Sequence, residues 1–150
     1  MATNGRAIIE TLNNADEIYN ALCQLSPYLY NQSVNNQKTL RNLADKFSQK
    51  ANVLIAENEN EIKGMCVFYN NDSETFTAYL SIIVVAADSQ GTGLGGAMFQ
   101  KMLECCRKAG MKKLRLEVDN TNTNALNFYK KRGFVLEKQN EQTSYLVCEI

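Results

Sequence analysis

The segment Tyr79 to Gly110, YLSIIVVAADSQGTGLGGAMFQKMLECCRKAG, restricts the fold more than any other part of the chain. Around its start lies an apolar run, Ala78 to Ala87, that carries no charge and is rich in Ile and Val. Such a run is too short for a membrane span and suits a strand buried on both faces, so it is expected to be the central strand of a sheet. From Leu94 onward, Leu94, Ala97, Met98, Met102, Cys105 and Ala109 recur at helical spacing, and Gly110 stands where a helix C-cap belongs. The segment therefore reads as strand, glycine loop and a helix of about four turns.

The loop Gln90-Gly91-Thr92-Gly93-Leu94-Gly95-Gly96 has several positions without a Cβ, which lets backbone N–H groups turn toward a ligand as the helix begins. Unpaired N–H groups and the positive end of the helix dipole favour a phosphate there, although a plain strand-to-helix turn would use the same glycines. The glycine spacing suggests three phosphate motifs. A P-loop fails, because Ala97 and Met98 stand where the Lys and hydroxyl are required. A dinucleotide fingerprint is met by Gly91, Gly93 and Gly96, with Glu117 at a downstream strand. That fold needs further strand–helix–strand units, and the residues after Glu117 read as one short helix and a hairpin.

The third motif is Q-x-x-G-x-G, met by Gln90, Gly93 and Gly95, and it has a companion downstream. In LRLEVDNTNTNALNFYKKRGF, Asn122, Ala125, Tyr129, Gly133 and Phe134 reproduce N-x-x-A-x-x-x-Y-x-x-x-G-F. Together, in this order, the two blocks resemble the GNAT superfamily of acyl-CoA N-acyltransferases, over residues 52–150 closely and over the first fifty only in general layout. The resemblance implies a mixed, mostly antiparallel α/β (α+β) sheet of six or seven strands, splayed at its two central parallel strands, with helices on both faces. It implies an acetyl-CoA co-substrate with its pyrophosphate at Gln90 to Gly96 (Gln90, Gly91, Thr92, Gly93, Leu94, Gly95, Gly96) and its pantetheine along Val84 and Val85. Backbone groups left unpaired by a splay need partners, which an amide-bearing arm supplies.

By the same resemblance Tyr129 protonates the departing thiolate. A phenol, protonated at neutral pH, suits that role, while packing beside Phe128 is the competing use. Asn122 is expected to bond the pantetheine, with Asn124, nearer the helix, as the cap. The family often has a carboxylate on the central strand, but Ser81-Ile82-Ile83 offers none. Glu117 on the neighbouring strand can serve as base through water or act as a structural partner, with Tyr79 and Ser81 as weaker candidates at the acceptor end. Tyr28 and Tyr30, in a polar loop, are expected to form an acceptor-binding lip.

The 16 basic and 16 acidic residues cancel, and nothing asks for nucleic acid or membrane as a partner. There is no histidine, which removes a His base, and the five cysteines lack ligand spacing, so no metal is expected. They read as reduced core residues. MATNGRAIIETL lacks a basic region followed by an apolar stretch, which sets the expectation of a cytoplasmic protein.

One domain, 1–150, is expected. A weak strand is read over Arg6 to Thr11, and Asn14 caps a helix that Pro27 stops. A second helix is expected with Leu40, Leu43, Ala44 and Phe47 on its apolar face. Val53 to Glu57 and Ile62 to Tyr69 form a hairpin leading into the buried strand. Lys113 to Val118 should run parallel to that strand, a helix follows over Ala125 to Arg132, and a hairpin closes the chain.

The expected activity is acetyl transfer to a primary amine of a small molecule or a protein N-terminus, in a protein that nothing prevents from being a homodimer. The alternatives are a non-catalytic CoA-binding sensor or interaction module and, less favoured, a dinucleotide-binding protein.

Overall fold

The computed structural model describes residues 7–150, so Arg6 of the expected first strand lies outside the described residues. That strand, β1, runs Ile8–Leu12. Helices α1 (Ala15–Leu25) and α2 (Gln37–Lys50) follow, with a turn containing Pro27 just after α1. Asn14 caps α1 by accepting from the Asp16 and Glu17 N–H groups, and Asn36 caps α2 through the Thr39 N–H.

Strands β2 (Asn52–Asn58) and β3 (Glu61–Tyr69) form the expected hairpin, turning through Glu59 and Asn60, both at positive φ. Then come β4 (Thr77–Val85), α3 (Leu94–Lys108), β5 (Lys113–Asp119), α4 (Thr123–Lys131), β6 (Val135–Gln139) and β7 (Thr143–Glu149). Gly110 and Gly133, at φ 84° and 90°, take the left-handed position beyond α3 and α4.

All seven strands form one sheet in the order β1-β2-β3-β4-β5-β7-β6, with β4 at its centre. Only β4 and β5 pair in parallel; every other pairing is antiparallel. This arrangement has no room for the doubly wound dinucleotide fold, whose sheet is mostly parallel.

Each face carries its own core. Ile18, Leu22 and Leu25 of α1 with Leu40, Ala44 and Phe47 of α2 pack on Val53, Ile55, Met65 and Val67. Met98, Phe99 and Met102 of α3 with Tyr129 of α4 pack on Leu54, Cys66, Phe68 and Leu116 from the other side. Gly64 lets α3 approach closely, since a Cβ there would stand 2.7 Å from Met98 Cε and 3.3 Å from the Val84 carbonyl oxygen.

The central strand is bulged. Leu80 faces Phe68 and Ile82 faces Val67, which leaves Ser81 as an extra residue. The insertion reverses the alternation of sides. Ala78 and Leu80 point to the α3 face, whereas Val84, four residues beyond Leu80 but only three pairs along the ladder, points to the α1–α2 face.

Candidate active site

The parallel pairing of β4 with β5 lasts only from Thr77 opposite Lys113 to Tyr79 opposite Arg115. Beyond it β4 continues along β3 to Val85 and β5 along β7 to Asp119, so the two strands part and expose facing edges. A cleft of about 980 Å³ opens there. Ser81 to Val85 line one wall and Glu117 to Asp119 the other. Tyr28 and Tyr30 border it from the α1–α2 connection, and Asn122, Phe128 and Tyr129 from α4 and its cap. The expected splay at Val84 and Val85 is present.

At the far end of β4 the glycine loop turns into α3. Gly91 and Gly93 sit at φ 79° and 90°, conformations that favour glycine, and the space where a Cβ would stand is open at both. The Thr92 hydroxyl donates to the Ser89 carbonyl, and Gln90 Nε2 donates to the Val85 carbonyl at 3.1 Å, tying the loop to the strand end. The first backbone bond of α3 runs from the Ala97 N–H to the Gly93 carbonyl at 3.0 Å. The N–H groups of Leu94, Gly95 and Gly96 are therefore those a helix leaves for a ligand. Gln90 and Gly95 line the cleft; Gly91, Thr92, Gly93, Leu94 and Gly96 form the turn beside it, with Leu94 packing on the core.

Tyr129 is 6% exposed and stands among Phe128, Phe134 and Phe99, at ring centroid distances of 5.3, 5.4 and 6.4 Å. It both packs the core and lines the cleft, so the two uses expected of it coincide. Burial pushes its phenol well above the ordinary range, and no hydrogen bond engages the hydroxyl among the described residues. A proton is thus held at the cleft wall.

Asn122 corrects the expected division of labour. Its Oδ1 accepts from the Ala125 N–H at 3.2 Å, making Asn122 the cap of α4 rather than Asn124. The helix begins at Thr123, two residues earlier than expected, so the cap position shifts with it. Both asparagines line the cleft, and the Asn122 amide nitrogen is left for a ligand.

Glu117 lines the β5 wall of the cleft and accepts a 2.9 Å hydrogen bond from the Tyr79 hydroxyl. Tyr79 itself is set back from the cleft behind it, while Ser81 reaches the cleft from the bulge. Tyr28 and Tyr30 are exposed at the rim, and the Tyr30 hydroxyl bonds the Thr121 hydroxyl across the cleft mouth. Gln32 Nε2 holds the lip by donating to the Ser26 and Leu29 carbonyls at 3.0 and 2.6 Å.

Asp119 also lines the cleft and has no role in the sequence reading; Asn124, Phe128 and Leu43, read there as a cap, a packing partner of Tyr129 and part of a helix face, line it too. Asp119 was within reach, since it lies two residues beyond Glu117 on the same strand face. The cysteines carry no disulfide, and burial raises Cys66 and Cys106, the latter to about 12, which makes them poor nucleophiles. Among the described residues no cluster of ligating side chains could hold a metal, and no helix is long and apolar enough to cross a membrane.

The sequence profile of the acetyltransferase (GNAT) family matches residues 15–134. The chain belongs to that family. The expected GNAT fold, with its mostly antiparallel sheet, parallel central pair and helices on both faces, is the one observed. The chain is similar to the Bacillus subtilis (strain 168) protein YxbD, 30% identical over 85 residues, which are 56% of this chain and 50% of that protein. It thus matches only about half the length of that relative.

Among solved structures, a GNAT family acetyltransferase from Elizabethkingia anophelis with acetyl-CoA bound superposes with a TM-score of 0.73 at 22% identity, covering 98% of this chain and 100% of that one. The ribosomal-protein-S18-alanine N-acetyltransferase from Escherichia coli gives 0.78 at 18% identity, covering 96% and 94%. These two likenesses show a shared fold.

Proposed function

We propose that the protein is an acetyl-CoA-dependent N-acetyltransferase that moves an acetyl group to a primary amine of a small molecule or a protein N-terminus by direct attack. The observation that carries this reading is the open seam between β4 and β5. Its unpaired strand edge suits an amide-bearing pantetheine, and the glycine turn with the α3 N-terminus suits a pyrophosphate. GNAT membership and the acetyl-CoA held by the Elizabethkingia neighbour support the same ligand. Acetyl-CoA, when bound, supplies an activated acyl carbonyl joined to a thiol leaving group.

The chain's own groups then have distinct tasks. Backbone N–H groups near Val84 and Val85 stabilise charge on the carbonyl oxygen. The amine nitrogen bonds the acetyl carbon, the C–S bond breaks, and the Tyr129 hydroxyl gives its proton to the departing sulfur. Glu117, directly or through water, takes the proton that the attacking nitrogen loses. Solvent returns a proton to Tyr129. The acceptor enters between the Tyr28–Tyr30 lip and β5, and a protein N-terminus is one acceptor type, as the name of the E. coli neighbour illustrates for that enzyme.

Calorimetric titration with acetyl-CoA, CoA and NAD tests the reading. Micromolar acetyl-CoA binding without NAD binding, followed by release of free thiol in the presence of amines, is expected. Failure to bind any form of CoA overturns it, and CoA binding with no turnover of any amine identifies a non-catalytic sensor instead.

A further inference from the structure

Arg132 ends α4, yet its side chain reaches the start of α3. The guanidinium carbon stands 3.6 Å from the centre of the Phe128 ring, and Nη1 donates to the Phe128 carbonyl at 3.1 Å. Nη2 comes so near the first turn of α3 that a Cβ on Gly96 would stand 3.0 Å from it, tighter than ordinary van der Waals contact, so glycine at that position admits the guanidinium. A Cβ on Gly95 would likewise lie 3.8 Å from Phe128 Cε2. Gly95 and Phe128 both line the cleft, which puts Arg132 at its glycine-loop end.

This is an unfavourable place for a cation. The free N–H groups of Leu94, Gly95 and Gly96 and the positive end of the α3 dipole lie at the same turn and repel it. The Phe128 ring and carbonyl offset part of that repulsion. No carboxylate does: among the described residues the ion-paired cations are Arg41, Lys63 and Arg115, and Nη2 of Arg132 has no hydrogen bond.

We infer that Arg132 is a ligand of the CoA pyrophosphate, its guanidinium and the free N–H groups of α3 holding the same anion from two helices. This deepens the acetyl-CoA reading and rests on it. An anion between the two positive groups turns their repulsion into two attractions, and a planar fork already fixed by Phe128 loses little freedom on binding. The pyrophosphate rather than the 3′-phosphate is the group assigned, because Nη2 stands beside the turn whose N–H groups suit it. Lys130, the neighbouring cation on α4, is exposed and provides a control for charge without that placement.

Calorimetry with acetyl-CoA and acetyl-dephospho-CoA, which lacks the 3′-phosphate, tests the assignment. Arg132→Met keeps a long apolar stem against Phe128 and should weaken both ligands by the same factor, about tenfold to a hundredfold. Its acetyl-CoA affinity should also fall less between about 0.05 and 0.5 M NaCl than that of the unaltered protein. Arg132→Lys, which returns the charge, should return that salt dependence, and Lys130→Met should bind both ligands within about twofold of the unaltered protein.

Unchanged acetyl-CoA affinity in Arg132→Met overturns the inference. So does a loss confined to acetyl-CoA, which would put the guanidinium on the 3′-phosphate, and so does a loss with the salt dependence intact, which would make the residue structural. Failure of the unaltered protein to bind acetyl-CoA instead takes down the acetyl-transfer reading, and this inference with it.

Discussion

The Tyr79 hydroxyl donates to Glu117 Oε2 at 2.9 Å across the point where β4 and β5 part. Tyr79 is the last residue of β4 paired to β5, so this bond is a side-chain continuation of the seam after the backbone ladder has stopped. Burial and then the Glu117 bond push the Tyr79 phenol up to about 12. Its folded value lies above the unfolded one of about 10, so its stabilising contribution is complete below pH 10 and is lost as pH rises through about 12. Tyr79→Phe should lower the thermal midpoint at pH 7 by about 2–4 °C, for a hydrogen bond worth about 1 kcal/mol. The variant's melting curve should also fall less steeply than that of the unaltered protein between pH 10 and 12. Parallel pH profiles would show that the bond does not couple to the phenol's ionisation.

Tyr129→Phe separates chemistry from packing. The ring cluster with Phe99, Phe128 and Phe134 is kept by phenylalanine, and the hydroxyl removed has no hydrogen bond to lose among the described residues. The expected outcome is a kcat lower by about tenfold to a thousandfold, with acetyl-CoA affinity within about twofold. Calorimetry beside thiol-release kinetics checks both. An equal loss of affinity and turnover would make the tyrosine structural.

Gly93→Asp addresses the cradle. A Cβ would meet nothing within 4 Å at Gly93, so no clash follows. The cost is a left-handed φ of 90° for a side-chain-bearing residue and a carboxylate beside the α3 N-terminus, where a phosphate is expected. Acetyl-CoA affinity should drop by at least about a hundredfold, while strain of about 1–2 kcal/mol lowers the thermal midpoint by only a few degrees. An unchanged affinity would remove the loop from the binding site.

The parts of this molecule that were legible in the sequence are those written in local spacing. The glycine turn, the caps at Asn14 and Gly110, the β2–β3 hairpin and the Tyr129 block each declare themselves within a few residues. What escaped depends on pairing or on distant segments. The Ser81 bulge leaves no mark in SIIVV, because a strand buried on both faces has no polar alternation for an insertion to interrupt. In Asn122-Thr123-Asn124 the sequence favours Asn124 as the cap because the helix reads from Ala125, and only the observed start of α4 at Thr123 selects Asn122. The Tyr30–Thr121 contact joins residues 91 positions apart, a relation that no window of sequence contains.

Lys63 links the cradle to the sheet. Its Nζ contacts Asp88 Oδ2 and Glu61 Oε2, each at 2.8 Å, and its carbonyl accepts from the Ala86 N–H at 2.8 Å. One residue of β3 thereby holds the chain on both sides of the bend that leads from β4 into the glycine loop. The two carboxylates keep the Lys63 ammonium protonated far above the ordinary lysine range, and the bond from Lys63 lowers Asp88 in turn. Exposed ion pairs contribute little to global stability, so Lys63→Met should move the thermal midpoint by no more than about 2 °C. Freed of its tether, however, the loop would bind a phosphate only after ordering itself. The expected result is an acetyl-CoA KM raised about two- to fivefold with kcat within about twofold, since uniform binding is lost and the chemistry is untouched. Lys63→Arg, which retains the charge and reaches the same carboxylates, should restore most of the KM. A drop in kcat at constant KM would mean instead that Lys63 acts on the reacting end of the cleft.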